Sequence, residues 1–146
     1  MLDELVAVFT RECSREERAR DAAGVLRRTG GFRWVGLYDV TETEIAVIGW
    51  DGPGPPAHPR FPVGQGLSGA AVASRETVVV GDVAVDPRYL TTLGNTRSEI
   101  VVPVRIDGVV RGLVDVESDQ IDAFSEEDSA LLERCAESLA PLWHYY

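Results

Sequence analysis

The chain has 146 residues, room for one domain and a substantial core, and a net charge of −10 that argues against nucleic acid or anionic membrane as partner. All 14 basic residues are arginine, which excludes Schiff-base chemistry and a P-loop lysine. No apolar run approaches the ~20 residues that span a bilayer, and the acidic, amphipathic start is not that of a signal peptide, so a cytoplasmic protein is expected.

Taken in chain order, residues 2–28 read as helical. Leu2, Leu5, Val6 and Phe9 share one face, and Ser14 with Glu17 has the spacing of a capping box that opens a second helix. Gly30 and Gly31 end it. "RWVGLYDV" and "EIAVIGW" follow as two strands about a polar turn, and "DGPGPPAHPR" is a stiff loop. "FPVGQGLSGAAVAS" is a glycine-punctuated turn feeding a short helix of small residues, and "TVVV" a brief strand. "DVAVDPRYLTTLGNT" is mostly loop with room for one helical turn. "SEIVVPVRI", Asp107-Gly108 and "VVRGLVDVES" form a β-hairpin, and a helix capped by Ser125 and Asp128 runs over 125–143. Its apolar stripe is Leu131, Leu132, Cys135, Leu139 and Leu142. Strands in pairs with helices at the ends make an α+β fold on an antiparallel sheet.

Three features bear on chemistry. Alternation in "WVGLY" puts Trp34, Gly36 and Tyr38 on one face, so a glycine sits between two rings. That is either core packing or a pocket wall. In "RGLVDVES", Leu113, Asp115 and Glu117 share a face, with the two carboxylates roughly 7 Å apart by strand rise. They are an acid–base pair, ligand contacts, or a wet strand face. Third, "GQGLSG" lacks the lysine and βαβ setting of a phosphate cradle, and reads better as a tight turn before a closely packed helix. Cys13 and Cys135 fall far apart, each within a helical pattern, and His58 and His144 are isolated; no disulfide, metal site or other cofactor is expected.

"FPVGQGLSGAAVASRETVVVGDV", "RSEIVVPVRIDGVVRGLVDVES" and "FSEEDSALLERCAESLA", with "WVGLY", resemble a GAF domain. They are most similar to the free methionine-(R)-sulfoxide reductase family of stand-alone GAF proteins, over about residues 33–140. The resemblance implies a GAF-like, PAS-related antiparallel sheet of about six strands with helices mainly on one face. It divides the single domain, 1–146, into N-terminal helices (1–30), sheet and pocket loops (33–118) and a C-terminal helix (125–143). It also implies a substrate site lined by Trp34, Tyr38, Glu99, Asp115 and Glu117. Carboxylates and aromatic faces suit an ammonium group, through charge-assisted hydrogen bonds and cation–π attraction.

The family's cysteines are missing. The corresponding positions hold His58, Ser68 and Thr92, whereas sulfoxide reduction there needs an attacking thiolate and a resolving thiol. The expectation is therefore a non-catalytic, stand-alone GAF domain with a sensory or regulatory role, binding a small amine- or amino-acid-like ligand and signalling in trans. One alternative is an enzyme related to the reductases with altered or residual activity. Another is a dimerisation module with a degenerate pocket. A homodimer would form through the terminal helices, 2–9 and 131–143, with Trp143, Tyr145 and Tyr146 interfacial or capping the core. A strict two-residue turn at Asp107-Gly108 sets Ile106 against Val109 and Ile100 against Asp115, which turns Glu99 to the face opposite the other acids. A bulge would bring it round.

Overall fold

The computed structural model describes residues 1–91 and 94–144. Thr92, Tyr145 and Tyr146, all named above, lie outside the described residues. Helices α1 (Leu2–Val8) and α2 (Arg15–Gly30) precede strands β1 (Trp34–Val40), β2 (Glu44–Asp51) and β3 (Arg60–Pro62). Helix α3 (Gly66–Ser74), β4 (Val78–Val80), the hairpin β5 (Ser98–Ile106) and β6 (Val109–Ser118), and helix α4 (Glu126–Leu139) follow. A 3-10 turn, Ala140–Trp143, ends the fold where Pro141 removes an N–H that an α-helix would need. Among the described residues no helix is long and apolar enough to cross a membrane.

The six strands form one antiparallel sheet in the order β3-β2-β1-β6-β5-β4. Helices α1, α2 and α4 cover one face, where Val35, Leu37, Ile100, Val102, Val114 and Val116 meet Leu5, Leu26, Leu132 and Leu139. The shorter α3 covers part of the other face, where Trp34, Tyr38, Val101 and Leu113 meet Leu67 and Ala71. Both faces are therefore buried, and residues alternating along β1 and β6 feed two separate cores.

Local signals set most boundaries. Ser14 accepts from the Glu17 amide at 3.0 Å, and Gly31 closes α2 with φ of 69°. Ser125 and Asp128 complete a full capping box on α4. Asp107 and Gly108 take positive φ values of 52° and 80°, as a type I′ hairpin turn requires.

Three expectations need correction. Val6 is 57% exposed, and Val8 instead packs inward beside Leu5, where α1 lies against α2 and α4. Cys13 is not helical; it lies in the linker ahead of the Ser14 cap, where the chain turns between α1 and α2. The register drawn from the hairpin turn fails because β6 carries a bulge. Arg105 pairs with Val110 but Val104 pairs with Gly112, so Arg111 is an extra residue. Beyond it Glu99 stands opposite Glu117, not on the far face. Trp143 caps the core: it is buried, and its indole Nε1 donates to the Tyr38 carbonyl at 3.1 Å.

Candidate functional site

Three cross-strand rows build the site on the α3 face. Glu99 of β5, Glu117 of β6 and Trp34 of β1 form the first. Val101, Asp115 and Gly36 form the second, and Pro103, Leu113 and Tyr38 the third. The β6 bulge brings Glu99 into the first row. Alternation then places Asp115 one row away on the same face.

The loops bury this face. Glu99 is 3%, Asp115 2% and Glu117 0% exposed, and Trp34 and Tyr38 are buried with them. Carboxylate oxygens of all three acids lie within 4.8 Å of one another. Glu117 Oε1 accepts from the Thr96 hydroxyl at 2.7 Å. Asp115 Oδ1 is buried, and the Asp115 carboxyl lies within hydrogen-bonding reach of the Glu99 and Glu117 carboxyls. Burial, then the negative charge of Glu117, pushes the Glu99 carboxyl up to about 8. Asp115 is raised well above its ordinary value, by burial and then by Glu99. Tyr38 is raised too, by burial first and then by Asp115 and the two glutamates. Glu99 thus holds a proton over most of the range up to about 8, and a cation entering the site would displace it.

The aromatic residues shape the rest. A Cβ on Gly36 would lie 2.4 Å from Trp34 Cη2 and 2.9 Å from Tyr38 Cε1, so the notch above this glycine is filled by the two rings. Trp34 stacks on Trp50 at 6.5 Å, and Tyr38 meets Phe61 edge-on at 6.2 Å. Trp34 Nε1 donates to the Gly54 carbonyl at 2.9 Å, which ties the loop between β2 and β3 down onto the sheet.

What remains open is a cavity of about 10 Å³, room for one water, lined by Tyr38, His58, Ser68, Leu90, Glu99 and Asp115 among others. His58 and Ser68 share this cavity with Glu99 and Asp115, whereas Trp34 and Glu117 do not line it. A Cβ on Gly69 would come within 2.6 Å of the Gly64 backbone, so "GQGLSG" is the tight turn it resembled, holding Ser68 over the acids. Both cysteines are elsewhere. Cys135 is in the core on the opposite face of the sheet, and Cys13 is in the α1–α2 linker. Thr96, Trp50 and Phe61 escaped the sequence reading. Thr96 carries no motif of its own; Trp50 and Phe61 could have been found only by following alternation through the β1–β2 bulge and into a three-residue strand.

A family model described as "GAF domain" matches residues 14–144. The chain is 31% identical over 133 residues to GAF domain-containing protein A of Dictyostelium discoideum, covering 90% of this chain and 83% of that protein. It is 31% identical over 110 residues to the free methionine-R-sulfoxide reductase of Escherichia coli, 75% of this chain but just under two thirds (66%) of the relative. The X-ray structure of free methionine-R-sulfoxide reductase from Neisseria meningitidis, in complex with its substrate, superposes with a TM-score of 0.87 at 33% identity, over 97% of this chain and 85% of the other.

Proposed function

The chain belongs to the GAF domain family, and from the acids gathered in its cavity we propose that it is a non-catalytic, cytoplasmic sensor that binds a small cationic amine or amino acid through Glu99, Asp115 and Glu117. The observation that carries this reading is the burial of three carboxyls within 4.8 Å, with no basic side chain among the described residues offsetting Glu99 or Asp115. Buried carboxyls without a counter-charge cost stability and are retained where they do something else. An ammonium group would supply the missing charge, with the Tyr38 and Trp34 rings beside it. Methionine and its sulfoxides are the first compounds to try, given the substrate of the similar reductases.

A cavity of about 10 Å³ is far smaller than an amino acid, so entry requires the loop held by the Trp34–Gly54 hydrogen bond to lift. Because Glu99 holds a proton below about 8, binding of a cation expels it. Affinity for an amine therefore rises with pH through about 8, until the ligand's own ammonium begins to titrate. Calorimetry against methionine, both sulfoxide epimers and an amine panel, run at pH 6 and 8 in buffers of different ionisation enthalpy, measures affinity and proton release together. Absence of binding by every compound would remove the reading.

The enzyme alternative is favoured by one observation, the 33% identity to a substrate-bound reductase over nearly the whole chain. Against it stands the placement of both cysteines outside the cavity. A thiol-dependent assay on free methionine-(R)-sulfoxide separates the two. Turnover that disappears in Cys13→Ser or Cys135→Ser would replace the sensor reading. The homodimer expected through the terminal helices is part of the proposal, and a monomer mass by light scattering across the working concentration range would remove that part.

A further inference from the structure

We propose that the first turn of α3 is the carboxylate-binding end of this cavity, so that the ligand is a zwitterion, a free amino acid, and not a plain amine; this rests on the amine reading of the acids and narrows it. An α-helix leaves the N–H groups of its first residues without partners inside the helix, and a side chain or a ligand has to serve them. In α3 no side chain does. Gln65 stands at the N-cap position and makes no side-chain cap bond. Gly69 donates to the Gln65 carbonyl at 2.9 Å, the first bond of the helix. The N–H groups ahead of it, those of Gly66, Leu67 and Ser68, have no acceptor among the described residues. All three residues line the cavity that holds Glu99 and Asp115.

The Ser68 side chain points to a ligand independently. It is 6% exposed, lies on the cavity wall, and its hydroxyl makes no hydrogen bond among the described residues. A buried hydroxyl without a partner is costly. Together with three amides at the positive end of a nine-residue helix, it forms one set of donors for an anion. Gly66, at φ of 75°, puts no Cβ between that backbone and a ligand. Leu90 packs over Gly66, where a Cβ would lie 3.2 Å from its own, so this end of the cavity also opens only when the loops move. Charge selects the ligand class. Among the described residues no arginine lines the cavity, so the acids there repel a plain anion, phosphate above all. A plain amine serves the acids and leaves the α3 donors unserved. An α-amino acid carries both groups on one carbon and serves both ends.

Calorimetry on the wild-type chain tests this with the free amino acids and the amine panel, then with three analogues of the tightest amino acid: its methyl ester, its decarboxylated amine and its deaminated acid. The expected result is an amino acid that binds, with the ester and the decarboxylated amine weaker by about tenfold or more. Ser68→Ala should close part of that gap by weakening the amino acid several-fold more than the ester, whereas a merely structural loss weakens both alike. An ester or decarboxylated amine that binds as tightly as the amino acid overturns the proposal and leaves the amine reading standing, as does an amine that binds when no amino acid does. A deaminated acid that binds as tightly as the amino acid supports the α3 end and overturns the amine reading instead. Silence from every compound removes both. The compounds are compared on the wild-type chain, so they decide even if the variant fails to fold.

Discussion

Glu99 and Glu117 stand directly opposite one another on adjacent strands, an arrangement that destabilises a sheet when both are charged. The fold tolerates it by keeping protons in the site, and this has a consequence for stability. Glu99 goes from an ordinary value of 4.5 to about 8 on folding. Between those values the folded chain holds a proton that the unfolded chain has released. Stability from this group is therefore complete below about 4.5 and is lost as pH rises toward 8. At ~1.4 kcal/mol per unit the loss is on the order of 5 kcal/mol. Asp115 shifts in the same direction and adds to the slope. Glu99→Gln removes the ionisation, so denaturant melts should show a flatter decline from pH 5 to 8 and a variant more stable than wild type at pH 8. Equal slopes for the two proteins would mean that Glu99 is not the group that titrates. The facing of Asp115 and Glu117 was legible from strand alternation alone. Their depth was not, because an alternating acid reads as a wet face until distant loops are seen to cover it.

The elements around the site differ in how plainly the chain announces them. The hairpin strands are bounded by a turn dipeptide that admits little else, and the sequence marks their ends to the residue. Strand β3 leaves no mark in the sequence, because three residues ending in proline carry no alternation to read. The bulge at Arg111 was the decisive hidden feature. One extra polar residue on an outer stretch of strand leaves no mark in the hydrophobic pattern, yet it determines which face Glu99 joins. The loop between β2 and β3 is the element whose behaviour matters most for entry. Its attachment through Trp34 Nε1 predicts that Trp34→Phe, which keeps an aromatic ring but removes the donor and part of the buried indole, speeds amide exchange across residues 52–59. The global cost should be the ~1 kcal/mol of one hydrogen bond plus that of the cavity left by the smaller ring, about 2–3 kcal/mol in all. Unchanged exchange in that loop would show that the indole bond does not hold it closed.

At the scale of the molecule, a sheet buried on both faces needs its covering layers fixed to it, and the C-terminal turn is one such fastening. Trp143 lies over Gly112, where a Cβ would come within 2.1 Å of the indole, and donates to Tyr38 on the next strand. Arg15 at the start of α2 completes the attachment. Its Nη1 and Nη2 each donate to Asp39 of β1 at 2.7 Å, and its Nε donates to the Leu142 carbonyl at 2.9 Å. One guanidinium thus joins α2, the sheet and the C-terminal turn. Asp39 lies one residue from Tyr38, so the fastening reaches the strand that carries the site's aromatic rings. The pair is only partly exposed, at 17% and 33%, so water screens it less than a surface ion pair. Asp39→Ala should cost ~1–2 kcal/mol, and Arg15→Ala, which also frees the Leu142 carbonyl, ~2–3 kcal/mol. The double variant should cost little more than Arg15→Ala alone, a coupling above about 0.5 kcal/mol. Equilibrium denaturation of the four proteins measures it. Strict additivity would show that the two residues act independently.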